Sequence, residues 1–412
     1  MKLFFKKGDK MKLYAGTPYW SLISDTKKKK YPKLVENIEC DVLIVGGGIT
    51  GALSSYYMNQ ANIDTVLIDK NAFASGSTMV NTSLLHYEID TTLYKLSKMY
   101  GKPNAIRCFQ LCRRALYDLK SMLNDTGLDC EYVRRKSLYV STSIIEDIKL
   151  LAEYHSRRSA GFKASFVSKI NMKKYFNLPY NSGIYSYDGA EINPYLLTKN
   201  LIDYTTTKGL RAYENTELIS IDFKKDYNIA HTKDAVIKAK KIIFATGYEC
   251  QSLVDSYTST NFYVTYNLTT KPITNAHKLW KDNSLIWEAK NPYNHIRRTK
   301  DNRIIVGGYD TSYKGYMPNA YELEKKGELL YKQLHHLFPK LDIEKDFVSA
   351  GLFARTKDDL GYVGDVEEYP NCYFILGYGA NGILYSIIGS QIIRDLYLHG
   401  YHHDAALFSF YR

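Results

Sequence analysis

Short apolar runs organise this chain. Residues 42–45 (Val-Leu-Ile-Val) are continuously apolar, which predicts a strand covered on both faces. Glycines follow at once, then a helix over 52–60 and a second apolar strand over 65–68 that closes on Asp69. Residues 91–180 read mostly as helix, with Leu93, Leu96, Ile106, Leu111 and Leu119 spaced among Lys and Arg, and with one strand at 137–141. A helix over 196–208 stops at Gly209, and the alternation at 218–223 and 235–239 predicts a strand pair. The run 241–247 is a buried strand ending in a tight turn. Residues 256–345 alternate strands with loops, the clearest strand being 303–308, and 321–338 is helical. A last strand at 372–376 leads into a last helix at 383–398.

Each strand–glycine–helix junction lies near an end or in the middle of the chain. That order predicts one α/β domain built from separated segments, 39–90, 190–255 and 346–412, with a second domain from 91–189 and 256–345. A length of 412 residues agrees with two domains. Residues 1–38 hold ten Lys against three acids, +7 of a formal net charge of +12, so they read as a basic N-terminal arm. Lys27 to Lys30 are its densest stretch. A solvated arm, or one touching nucleic acid or anionic lipid, fits that composition. No aromatic–basic module accompanies it, so no specific nucleic acid is expected.

The six cysteines are scattered, with no C-x-x-C pair, which predicts buried free thiols and a cytoplasmic protein. The N-terminus lacks a signal-peptide apolar core, and the apolar stretch 383–393 is too short to span a bilayer. His335-His336 and His402-His403 lack metal-site spacing, so no metal is expected.

The first glycine cluster has the chemistry of a dinucleotide loop. Gly46 allows the tight turn, Gly48 lets backbone approach a pyrophosphate, and Gly51 lets helix and strand close together. Ile49 and Thr50 open the helix, whose free N–H groups attract phosphate. Asp69 follows Gly46 by 23 residues, the place of a carboxylate that accepts from ribose hydroxyls. Its charge disfavours NADP and leaves NAD and FAD open. The same G-x-G-x-x-G spelling recurs at Gly377, Gly379 and Gly382, but only 30 residues remain after it. It has no room for a second βαβ unit. Its helix N-terminus can serve another part of one ligand, such as the edge of a flavin that gains negative charge on reduction.

Taken in order, VGGGITG at 45–51, IDK at 68–70, GST at 76–78, ATGYE at 245–249, DNRIIVGGYD at 301–310 and LGYGANGI at 376–383 resemble the FAD-dependent D-amino acid oxidase superfamily, the group with glycine, sarcosine and gamma-glutamylputrescine oxidases. The likeness runs from about residue 19 to the end. It implies a Rossmann-like FAD domain roofed by an antiparallel-sheet substrate domain. It adds Lys70, Gly76, Ser77, Thr78, Ala245, Thr246, Gly247, Asn381 and Ile383 to the cofactor contacts. It also implies hydride transfer from a carbon bearing nitrogen in a small amine or amino-acid derivative, with oxygen or another acceptor reoxidising the flavin.

The chain departs from the superfamily where substrate is read. Phe353 and Ala380 fall where substrate-binding arginines lie in glycine oxidase, leaving Arg297 and Arg355 as substitutes. Gly351 falls where sarcosine oxidases carry the cysteine that bonds FAD, so non-covalent FAD is expected. Tyr266, Tyr293 and His295 are the other pocket candidates, and Lys271 is the candidate oxygen-activating lysine. Two further readings stay open: a flavoenzyme acting on a tRNA-borne amine, and an FAD-binding protein without turnover whose arm meets RNA or membrane.

Overall fold

The computed structural model describes residues 2–5, 11–24, 29–274, 279–290 and 292–412. Two sheets carry the architecture. At the centre of the first lies Ile38–Val45, parallel to Thr65–Ile68 on one side and Val236–Phe244 on the other. Arg211–Tyr213 continues the parallel order outward, and Cys372–Leu376 pairs in parallel with Val236–Phe244. Side chains alternate between two cores: Val42 and Ile44 face one, Leu43 and Val45 the other. Both faces are covered, which is why the run reads as continuously apolar.

The helix Ile49–Gln60 returns over this sheet and is buried from Gly51 to Met58. Such all-round burial requires neighbours on every side. Those neighbours include Pro194–Thr206 and Gly382–His399.

Among the described residues the second sheet has ten strands, ordered from Tyr14–Gly16 through Lys345–Thr356, Thr260–Thr270, Ile304–Ser312, His295–Arg298, Leu285–Glu288, Val133–Ser141 and Ser182–Glu191 to Leu84–His86, with Ala164–Val167 beside Ser182–Glu191. Its pairs are antiparallel except Leu285–Glu288 with Val133–Ser141. The helix Ala320–Leu337 packs on one face through Leu323, Leu330, Leu334 and Leu337, started by a capping box between Asn319 and Glu322. The opposite face looks toward the glycine loops.

Three expectations are corrected. Residues 218–223 do not pair with 235–239, because Asn228–His231 intervenes and pairs with both neighbours. Leu84–His86 and Lys345–Thr356, placed by segment in the dinucleotide domain, are strands of the second sheet. The basic arm is woven into the molecule: Lys2–Phe4 pairs with Ser220–Phe223, and Tyr14–Gly16 with Ser349–Gly351. Its aromatic residues drive this, since Tyr19 and Trp20 are buried and the Trp20 indole N–H donates to Asn81 O at 2.7 Å. Lys27 and Lys28 lie outside the described residues, and Lys29 donates to Thr206 at 3.1 Å. Among the described residues no helix is long and apolar enough to cross a membrane.

Candidate active site

The first glycine loop is a backbone-to-backbone joint. Gly46 turns out of its strand with φ +107°, a conformation open to glycine. A side-chain carbon on Gly51 would stand 1.8 Å from Gly46 O, so the helix touches the strand end directly. Gly48 differs: its nearest neighbour would be Thr78 Oγ1 at 3.4 Å, which leaves the space beside it open. The helix has no side-chain cap and no acid in its first turn, so its positive end is not neutralised from within. Thr78 and Ser77 reach this crevice from a short 3₁₀ turn that starts after Gly76, and Thr78 Oγ1 accepts from Ile49 N–H at 3.2 Å.

Asp69 ends the next strand beside this loop. It accepts from Gly47 N–H and from Asn71 N–H, both at 2.7 Å. Burial nevertheless pushes its carboxyl up to about 6, against the lowering effect of those two donors. Lys70 pairs with Glu249 at 2.6 Å, just beyond the turn Ala245-Thr246-Gly247. Ala245 N–H donates to Val45 O at 2.8 Å, which seats that turn against the loop.

In the second loop Gly377 and Gly382 face each other. A side-chain carbon on either would come within 2.6 or 2.5 Å of the other's carbonyl oxygen. The helix it opens, Gly382–His399, runs parallel to Ile49–Gln60 and is tied to it by Thr50–Ser386 at 2.8 Å and Ser54–Ser390 at 3.0 Å. Two uncapped helix N-termini thus start side by side. Asn381 turns its amide inward to Glu88 O at 2.9 Å, and Ile383 is core.

Between the second loop and the second sheet lies a half-open cavity. Gly377, Gly379, Ala380 and Gly382 form one boundary, and Gly351, Leu352 and Phe353 another. The sheet contributes Thr265, Asn267, His295 and Asp310. A stack of three rings walls one side: His86 on Trp287 (4.9 Å, 12°) and Trp287 on Tyr139 (3.8 Å, 23°). Burial, with the neighbouring His86, pulls the His295 imidazole down to about 4, so it is neutral at pH 7. Its Nε2 is buried with no partner among the described residues. Tyr293 donates to Asp90 at 3.2 Å, and Asp90 is pushed up to about 6 by burial and by the Asp359 carboxylate.

Of the sequence candidates, His295 and Tyr293 line the cavity. Tyr266 does not. Thr265 and Asn267 take the cavity face, so strand alternation turns Tyr266 to the helix side, where it meets Thr311 at 3.2 Å and Lys326. Arg297 is also off the cavity: it lies 3.5 Å from Glu191 and 5.0 Å from the Trp20 ring, held there by the folded N-terminal segment. Arg355 grips Asp359 at 3.1 and 3.0 Å. Lys271 is exposed and paired with Glu344 at 2.6 Å. Phe353 and Ala380 do border the cavity. The sequence reading missed Thr265, Asn267, Asp310, His86 and Trp287. Polar residues alternating through an apolar strand at 265 and 267 were the available signal.

Residues 41–396 match the family model "DAO: FAD dependent oxidoreductase". The chain belongs to this family. Gamma-glutamylputrescine oxidoreductase of Escherichia coli (strain K12) is 22% identical over 394 residues, covering 90% of this chain and 87% of its own length. A putative Rieske 2Fe-2S iron-sulfur protein of Bacillus subtilis (strain 168) is 29% identical over 119 residues, 29% of this chain and only 23% of that protein. Among solved structures, glycine oxidase from Geobacillus kaustophilus superposes with a TM-score of 0.77 at 21% identity, covering 91% of this chain and 99% of the other. The cofactor of the family is FAD, and the residues here fit it. The open side of Gly48, the paired uncapped helix ends and the half-buried Asp69 carboxylate offer what a pyrophosphate and a ribose require.

Proposed function

We propose that this DAO-family oxidoreductase oxidises a C–N bond of a small amine or amino-acid derivative in the cavity, with FAD held non-covalently. The observation that carries the reading is His295, a neutral imidazole whose Nε2 lacks a partner in a cavity bounded by the Gly377–Gly382 loop. When bound, FAD accepts the hydrogen and electron pair that leave the carbon next to nitrogen. The chain's residues do the rest. His295 Nε2 accepts a hydrogen bond from the amine N–H and so orients the nitrogen. Trp287, Tyr293 and Phe353 keep water from that nitrogen.

For the cofactor, Gly46, Gly48 and Gly51 with Ile49 and Thr50 bring backbone amides to the pyrophosphate. Asp69 accepts from ribose hydroxyls. Gly76, Ser77 and Thr78, and Ala245, Thr246 and Gly247, close the crevice around it. The helix N-terminus at Gly377, Gly379 and Gly382 stabilises negative charge on the ring. The domain that holds FAD comprises 39–90, 190–255 and 346–412 without the strands Leu84–His86 and Lys345–Thr356. None of the six cysteines lines the cavity, which supports a non-covalent cofactor, and all six are free and buried, which supports a cytoplasmic location.

The test is anaerobic mixing of the yellow protein with a panel of amines and amino acids. Loss of visible flavin absorbance with a nitrogen compound is the expected result, and readmitting air then tells whether oxygen is the acceptor. His295→Ala should keep its flavin and bleach roughly 100-fold more slowly. Bleaching by hydroxy acids but by no amine would overturn the reading.

A further inference from the structure

Among the described residues, Asp310 is the one acidic side chain bordering the cavity, and no Lys or Arg borders it. Its Oδ1 is buried and without a hydrogen-bond partner, and the carboxylate forms no ion pair among the described residues. Burial pushes its carboxyl up, against the opposing effects of a Thr265 hydrogen bond and of the Arg355 and Lys326 charges. Nearby charge is already spoken for. Arg355 holds Asp359 bidentately, and Lys326 donates to Tyr309 O at 2.9 Å on the helix side of the sheet.

The backbone is bent to put Asp310 where it is. Asn267 pairs with Gly307 and Tyr266 with Gly308, but Val264 pairs with Thr311, so Ile304–Ser312 carries one extra residue at this point. Gly308 (φ +140°) and Tyr309 (φ +52°) form the irregularity. Without it, strict alternation from Gly307 would turn residue 309 to the cavity and 310 away. The bulge restores Asp310 to the cavity face and sends Tyr309 toward Lys326. A bulky residue at positive φ is strained, and such strain marks a place where the surroundings demand it.

We propose that Asp310 binds a cationic group of the substrate, separate from the nitrogen that reacts, so that the cavity selects diamine-like compounds over α-amino acids. This rests on reading the cavity as an amine-oxidising site. The reacting nitrogen has to be neutral to release hydride from its carbon, so it is placed at His295. A second, protonated nitrogen supplies the partner that Asp310 Oδ1 lacks. With phenylalanine at 353 and alanine at 380, no cation awaits a substrate carboxylate at those positions.

Two measurements test it on the FAD-loaded protein. Tert-butylammonium has no hydrogen on the carbon next to nitrogen, so it can bind but not react; pivalate is its carboxylate counterpart. Perturbation of the flavin spectrum should report binding of tert-butylammonium and none of pivalate. Asp310→Asn should weaken the former roughly 10- to 100-fold with flavin content kept, and Asp310→Glu should restore part of it. Tight pivalate binding, or tert-butylammonium binding unaffected in Asp310→Asn, would overturn the proposal, and the wild-type pair of probes decides even if the variant fails to fold. Second, 1,4-diaminobutane should bleach the flavin at least about tenfold more efficiently than butylamine, a ratio that Asp310→Asn removes; equal rates count against it. If no amine bleaches the flavin while tert-butylammonium still binds through Asp310, the C–N oxidation reading fails and the cation site stands.

Discussion

The two glycine loops are spelled alike, and at the level of packing they are alike. In each, the first and last glycines, Gly46 with Gly51 and Gly377 with Gly382, remove side-chain carbon from a point where a helix crosses a strand end. They differ in what lies next to them. The first has a parallel neighbour strand ending in Asp69 and an open flank at Gly48. The second follows the strand Cys372–Leu376, whose other partner is the antiparallel Tyr362–Gly364, and it borders the cavity. G-x-G-x-x-G therefore encodes a strand-to-helix joint, and its ligand is decided by the neighbours.

That account is most exposed at the packing glycines. Gly51→Ala puts a carbon 1.8 Å from a backbone oxygen, so thermal and chemical denaturation should show a loss above about 4 kcal/mol or no folded protein. Gly382→Ala, with 2.5 Å available, should cost roughly 3 kcal/mol. Equal, negligible losses would sever the shared packing role.

A smaller effect separates packing from ligand approach. Gly48→Ala meets only Thr78 Oγ1 at 3.4 Å, so flavin-free stability should stay within about 0.5 kcal/mol of wild type while FAD affinity falls at least about tenfold. Isothermal titration of the flavin-free protein with FAD measures the second and urea melts the first. A large stability loss would place Gly48 with the packing glycines.

The subtlest distinction is electrostatic. Asp69 has a folded-state carboxyl raised to about 6 from its usual 3.8, so between those pH values the native flavin-free protein binds the extra proton. Its contribution to stability therefore declines as pH rises from about 4 to 6 and stays low above. FAD, whose ribose hydroxyls donate to the charged form, should reduce that decline, and Asp69→Ala should abolish it. Urea melts across that range, with and without FAD, supply the readout; a pH slope identical in wild type and Asp69→Ala would show that another group titrates.

Much of this was legible without a structure, for local reasons. Continuous apolar runs at 42–45, 65–68 and 372–376 became buried strands because both faces of a parallel sheet are covered. The helices at 49–60 and 382–399 began where glycines end those runs. Pairing was less legible. Asn228–His231 is not legible because four residues, two of them polar, carry little periodic signal. The N-terminal segment was misread because its lysines outnumber the few aromatic residues, Tyr19 and Trp20, that anchor it.

The candidate site divides the same way. The glycine loops and Asp69 were readable because a strand–glycine–helix joint and the acid after it come at set spacings, and spacing is a property of sequence. The substrate side was not. Arg297 and Tyr266 had suitable chemistry, but one is held under Trp20 and the other lies on the far face of its strand. Asp310 reaches the cavity through one inserted residue in a ladder whose partner strand lies about 40 positions away in the chain. Sequence alone determined that two strand–glycine–helix joints exist and that one is followed by an acid at the end of the next strand. Tertiary structure decided which side chains share the cavity, because side-chain direction depends on register, and register is set by strands far apart in the chain.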